Sequence, residues 1–337
     1  MSSWSRLLAA LLLAAATDAG AAAAPAPAEL LDFVLAAPSI PYQGRVMVTQ
    51  WYGKQTRAEE MKIFVLPPDH VRREFLAPDG TVSRLSASDG DVESVRVAKS
   101  GKTVTGDAAR RYEKILPPEK EREILSDNYA LSSSTGEKVA GRPTWKLTLE
   151  PKVEGKSWQS FWLDQETRIV LRSKRYIPKR PFANQSQFTS FEPGKPQDES
   201  LFHLEAGTRA AVATAGLAPN FLTLEQLNEE TGSKEDLAPT LPGGFIFESA
   251  DSFNIGKHRV THARYTDGMT VVSLFRTDRP VKLPQGGVRP RNALPLPGTL
   301  RSSRAGRVLH WHVGPRHYTL MGDVSRELLG KIAKALR

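Results

Sequence analysis

The chain has 337 residues, of which 40% are apolar, with a net charge of +9 at neutral pH and no cysteine. That apolar share can bury a core, and the length suits two domains of ordinary size or one large one. The missing thiol excludes disulfides, cysteine nucleophiles, cysteine-based metal sites and a lipoprotein anchor, which needs a cysteine at the cleavage point.

In chain order, the first predicted element is a secretory signal peptide over residues 1–24. Arg6 precedes an apolar run over residues 7–16, and small residues continue through Ala24. Ala19-Gly20-Ala21 and Ala22-Ala23-Ala24 both fit an A-x-A cleavage site. The run is too short for a membrane span, which needs about 20 apolar residues. No later segment is long or apolar enough, so no transmembrane segment is expected after cleavage. Export makes ATP, nucleic acid and the cytosolic cofactor pool unsuitable partners. For a basic chain outside the inner membrane, the available polyanions are phospholipid headgroups, lipopolysaccharide and acidic protein segments; a diffuse charge that serves solubility is the other reading.

Residues 28–37 place apolar side chains at helical spacing and stop before Pro38. Short runs rich in Val, Phe and Thr follow at residues 45–52, 59–66, 71–76, 81–87 and 92–98, punctuated by turn formers such as Pro78-Asp79-Gly80 and Asp89-Gly90-Asp91. Residues 107–131 are charged and read as a loop with a helix near 119–128. Strands resume at 144–150, 157–163, 168–176 and 185–191. Residues 25–192 therefore form a predicted β-rich domain of nine strands and two helices. A sheet that long tends to curl, and a helix laid across its concave side would close the core.

Residues 193–240 read as an inter-domain connection with a short helix at 224–230. The smaller domain, 241–337, carries strands at 245–250, 259–265, 269–276, 308–313 and 317–321. A final helix over 324–336 puts Leu328, Leu329, Ile332 and Leu336 on one face. Between its strands lies a basic Pro/Gly segment at 284–298, with further arginines to Arg304, which is a candidate for touching a membrane surface. The predicted fold class is mainly β with flanking helices (α+β).

Catalytic motifs are missing. No G-x-S-x-G run supplies a nucleophile elbow. Gly155-Lys156-Ser157 ends like a phosphate loop, but Glu150 stands where the first glycine belongs, and the dinucleotide fingerprint is absent. His310 and His312 flank Trp311 on one strand, and His317 opens the next, so three imidazoles could hold zinc for a hydrolase. No acidic residue lies within ten residues upstream of His310, which favours histidines on a hairpin surface and no metal or cofactor. Trp145, Leu147, Leu149, Trp158, Phe161 and Trp162 are candidates for an apolar cavity that accepts an acyl chain. Ordinary core packing is the other reading of the same six.

Several pieces, in order, resemble the RseB/MucB family. They are Tyr42-Gln-Gly-Arg45, Arg73-Glu-Phe-Leu-Ala-Pro-Asp-Gly80, Ala140-Gly-Arg142, Phe161-Trp-Leu-Asp164, Leu171-Arg-Ser173, Leu241-Pro-Gly-Gly-Phe245 and the run from Tyr265 through Asp267-Gly268 to Phe275. Gly243 departs from the usual second proline, and the basic insert at 284–298 is unusual. The resemblance implies an N-terminal domain similar to the lipoprotein carriers LolA and LolB, an unclosed half-barrel with a helix-lined apolar hollow. It implies a periplasmic regulator, not an enzyme, that binds the periplasmic segment of a single-pass anti-sigma factor and shields it from the protease that starts envelope-stress signalling. Lipid or lipopolysaccharide fragments in the hollow would release the partner. On this reading Tyr265, Asp267, Gly268, His310 and His312 form the partner surface of the smaller domain. The rivals are a periplasmic carrier of lipoprotein acyl chains and the zinc-assisted hydrolase.

Overall fold

A computed structural model describes residues 23–52, 54–90, 92–107, 116–177, 182–195, 197–204, 222–232, 237–279, 299–303 and 306–336. Most of the expected signal peptide, and the basic segment at 284–298, lie outside the described residues. Helix α1 (Pro27–Leu35) starts on a proline at its first turn, which loses no hydrogen bond there, and ends three residues before Pro38. Strands β1 (Tyr42–Tyr52), β2 (Gln55–Leu66), β3 (His70–Leu76), β4 (Val82–Ser88), β5 (Val92–Val97) and β6 (Thr103–Asp107) then run as an antiparallel meander. Helix α2 (Pro118–Asn128) leads directly into β7 (Tyr129–Val139), followed by β8 (Arg142–Pro151), β9 (Trp158–Asp164), β10 (Val170–Ile177) and β11 (Phe182–Pro193).

These eleven strands form one curled sheet in the order β6-β5-β4-β3-β2-β1-β11-β10-β9-β8-β7, an unclosed half-barrel. The first strand pairs with the last, Tyr42 opposite Pro193, so the two runs of the meander meet mid-sheet. Leu30 and Leu31 of α1 are fully buried against Leu125 and Tyr129 and against Trp145, Leu147, Leu149 and Leu163. Strands β6 and β7 are the two sheet edges and the two that the sequence does not announce. Their polarity has a physical cause. An edge strand is protected from pairing with other chains by polar side chains, and β7 (YALSSSTGEKV) alternates buried and exposed positions with little apolar content.

The stretch expected as a connection is docked wherever it is described. A short 3₁₀ turn (Glu199–Phe202) buries Phe202 edge-on to His70, with ring centroids 5.5 Å apart, and Arg72 donates to the Leu201 carbonyl at 2.8 Å. Helix α3 (Leu224–Thr231) has a capping box between Thr223 and Gln226 and buries Leu227 in the second core. That core belongs to a seven-stranded antiparallel sheet. Its strands are β12 (Thr240–Leu241), β13 (Phe245–Ile255), β14 (His258–Thr266), β15 (Val271–Thr277), β16 (Thr299–Ser303), β17 (Gly306–Val313) and β18 (Arg316–Gly322), in the order β12-β13-β14-β15-β18-β17-β16. Helix α4 (Arg326–Ala335) closes it with Leu328, Leu329 and Ile332, and its cap Ser325 accepts from the Leu328 amide.

On β14, His262 lies parallel to Phe275 of β15, with centroids 4.3 Å apart. Burial first, and then the Arg264 charge, pull its imidazole down to about 4. Above pH 6.5 the ring is neutral in both folded and unfolded chains, and stability is complete. As pH falls from 6.5 toward 4, only the unfolded chain takes up the proton, so stability falls by roughly 3 kcal/mol. Chemical denaturation of the wild type and His262→Gln at pH 7.5 and 4.5 checks this, since the variant should lose much less on acidification. Equal losses would rule out His262 as the source.

Candidate functional site

The six side chains expected around one hollow fall into separate environments. Trp145, Leu147 and Leu149 share a face of β8 and pack with Phe161 against α1 and α2, whereas Trp162 joins a second cluster with Tyr42, Val46, Phe188 and Phe191. Trp158 belongs to neither and stacks on Tyr176, 4.0 Å between centroids. Phe161 and Trp162 separate because neighbouring residues of a strand face opposite ways. A side chain lining a hollow keeps surface that a water-sized sphere can touch. Leu147 keeps none and Leu149 keeps 2%, so these two fill their space, while Trp158 and Phe161 stay partly exposed.

The histidines likewise do not converge. His310 binds the Thr319 hydroxyl at 2.8 Å, while His312 and His317 face each other across the β17–β18 pair, 5.8 Å between rings. Among the described residues, no group of three or more His, Asp or Glu could hold a metal ion. No described helix is long and apolar enough to cross a membrane.

The polar chemistry is concentrated where the two sheets meet. The loop between β8 and β9 carries Lys156, the loop between β14 and β15 carries Asp267, and the junction of α2 and β7 supplies Asn128 and Tyr129. Lys156 Nζ sits 3.0 Å from Asp267 Oδ2, and both side chains are completely buried. The same ammonium donates to Asn128 Oδ1 at 2.9 Å and lies 5.1 Å and 5.4 Å from the ring centres of Tyr129 and Phe245, within cation–π range. Asp267 accepts four hydrogen bonds, from Lys156, from the Tyr129 hydroxyl at 2.8 Å and from the amides of Met269 and Thr270. Asn128 completes the network by donating to the carbonyls of Ile124 and Gly244.

Every charged atom in this group is therefore answered, as a buried pair requires. Burial pulls the Lys156 ammonium below its ordinary value, and Asp267 acts in the opposite sense. Burial and the Asp267 charge push the Tyr129 hydroxyl far above the tyrosine range, so it stays protonated and donates. Beside them, Ser157 and Thr270 hydroxyls meet at 3.1 Å, and the Ser325 amide binds the Gly155 carbonyl. Gly244, at φ +75°, lets the loop press against Asn128, where an added Cβ would stand 1.9 Å from Oδ1.

Of the expected partner surface, Tyr265 is buried in the core of the smaller sheet, Asp267 is buried at the inter-sheet seam, and Gly268, half-buried, packs on Leu125 beside it. His310 and His312 lie on β17, a separate part of the smaller sheet. Sequence reading missed Lys156, Asn128 and Tyr129 as a group, since a lysine in a Gly-Lys-Ser turn gives no sign of being buried. The Asp267-Gly268 pair did carry a signal, though that signal was of a turn only.

A profile of the MucB/RseB N-terminal domain matches residues 35–206, about half of the chain. The chain belongs to the MucB/RseB family. The likeness to family structures extends over both sheets. A crystal structure of MucB in complex with MucA(peri) is 19% identical, with 91% of this chain and 97% of that chain covered and a TM-score of 0.53. The Pseudomonas aeruginosa MucA/MucB complex gives 20% identity, 91% and 96% coverage and a TM-score of 0.53. At that identity the likeness carries the fold. Curated protein sequences contain no match. Within this MucB/RseB chain, the Leu241–Phe245 and Tyr265–Phe275 motifs lie at the seam or in the strand next to it, where they join the two sheets.

Proposed function

We propose that this protein is a non-enzymatic periplasmic regulator that binds the periplasmic segment of a single-pass anti-sigma factor and withholds it from proteolysis. The observation that carries the reading is the likeness, across both sheets, to MucB as found in complex with MucA(peri). The arrangement of polar groups is compatible with it. The most connected polar cluster is structural, sealed between the sheets, and a binding module needs only different affinities for two states of its partner. A carrier of acyl chains would need a hollow, and Leu147 and Leu149, two of the residues expected to line one, are buried in the core beneath α1 and α2.

The test is capture from envelope extracts with the purified chain as bait, followed by titration of the recovered partner's periplasmic segment. Recovery of one single-pass membrane protein, with its segment protected from added protease when bound, is the expected result. Recovery of many lipoproteins in its place would sink the regulator and establish the carrier.

A further inference from the structure

Two cations of the seam, Lys156 and Arg175, differ in how they are answered. Lys156 is matched by Asp267, but among the described residues no acid pairs with Arg175 of β10. Its guanidinium is held in place from both sides of the seam: Nε and Nη2 donate to Ser157 Oγ at 3.2 and 3.1 Å, and Nη2 donates to Thr270 Oγ1 at 3.0 Å. Both hydroxyls are buried, and Nη1 takes part in none of these bonds. Arg175 itself is half-buried, so part of its side chain stays reachable from outside.

A half-buried guanidinium bound only to neutral hydroxyls has lost part of its hydration without gaining a counter-ion. Its planar fork is already oriented, so the entropy of fixing a long side chain is largely spent before a ligand arrives. Resting on the regulator reading above, we propose that Arg175 is the anchor of the partner site, taking the carboxylate of an acidic residue in an extended peptide that lies along the seam. A peptide carboxylate is favoured over a phosphate headgroup. Arg175 is held by hydroxyls from both sheets, and the neighbouring Met269 is only partly covered and offers a peptide an apolar contact.

The test uses the full chain and the periplasmic segment of its anti-sigma partner, with affinities read by calorimetry and folding checked by thermal midpoint. Arg175→Met should weaken binding by about tenfold or more, the size of one charge-assisted contact. Neutralising one particular acidic residue of the segment should do the same, with no further loss against Arg175→Met. Arg175→Lys, which keeps the charge and the fold but not the fork, should fall between. If the wild type binds and Arg175→Met binds equally well, the anchor is wrong while the regulator reading stands. If the wild type does not bind the segment, both fail. Binding of anionic phosphatidylglycerol vesicles that disappears in Arg175→Met, with peptide binding intact, would overturn the peptide in favour of a headgroup.

Discussion

Lys156→Met should destabilise the protein by about 3–5 kcal/mol, as breaking a buried ion pair does when one charge is left without its partner. Asp267 would keep the Tyr129 hydroxyl and two amides but lose the cation it pairs with, in a place with no access to water. The paired change Lys156→Met with Asp267→Leu should recover most of the loss, because apolar groups of similar volume can replace a buried pair at little cost. Urea unfolding of the three proteins measures both effects. An exposed pair such as Arg45–Glu60, with side chains 51% and 32% accessible, sets the contrast, since its removal should change stability by about 1 kcal/mol or less. If Lys156→Met matched that small figure, the seam would have to open to water in solution.

Gly268→Ala should cost about 2–4 kcal/mol, read by the same unfolding experiment. Gly268 has φ +88°, where a side chain adds strain of about 1–2 kcal/mol, and its Cβ would stand 2.7 Å from Leu125 Cγ. Leu125 has nowhere to retreat, because α2 holds it against Leu30 and Leu31 of α1. Gly80 provides the control. Its φ is +82° but no atom lies within 4 Å of an added Cβ, so Gly80→Ala should show the backbone cost alone. Equal losses at the two glycines would mean that close packing at the seam contributes nothing.

Much of the fold was legible beforehand. The period of two in Trp145, Leu147 and Leu149 identified a half-buried strand, and those side chains do face the helix-covered core. The turn residues separated nine strands of the first sheet, and the apolar stripe of Leu328, Leu329 and Ile332 identified α4. The two edge strands escaped because an edge is selected for polarity, and β12 and β16 because each offers five residues or fewer. The six expected cavity residues fall into separate environments, since alternation says which residues share a face of one strand and not what lies against it.

By itself the sequence determined what local pattern can determine: an apolar N-terminal run that predicts export, a chain without thiols, strands and turns in order, and a final amphipathic helix. Only the tertiary structure decided which of the 46 lysines and arginines would be buried, and with what. Lys156 and Asp267 are 111 residues apart and meet because two sheets dock, with α2 and β7 carrying Asn128 and Tyr129 to the same point. Burial and pairing depend on everything that surrounds a side chain in space, and no window of sequence contains those neighbours.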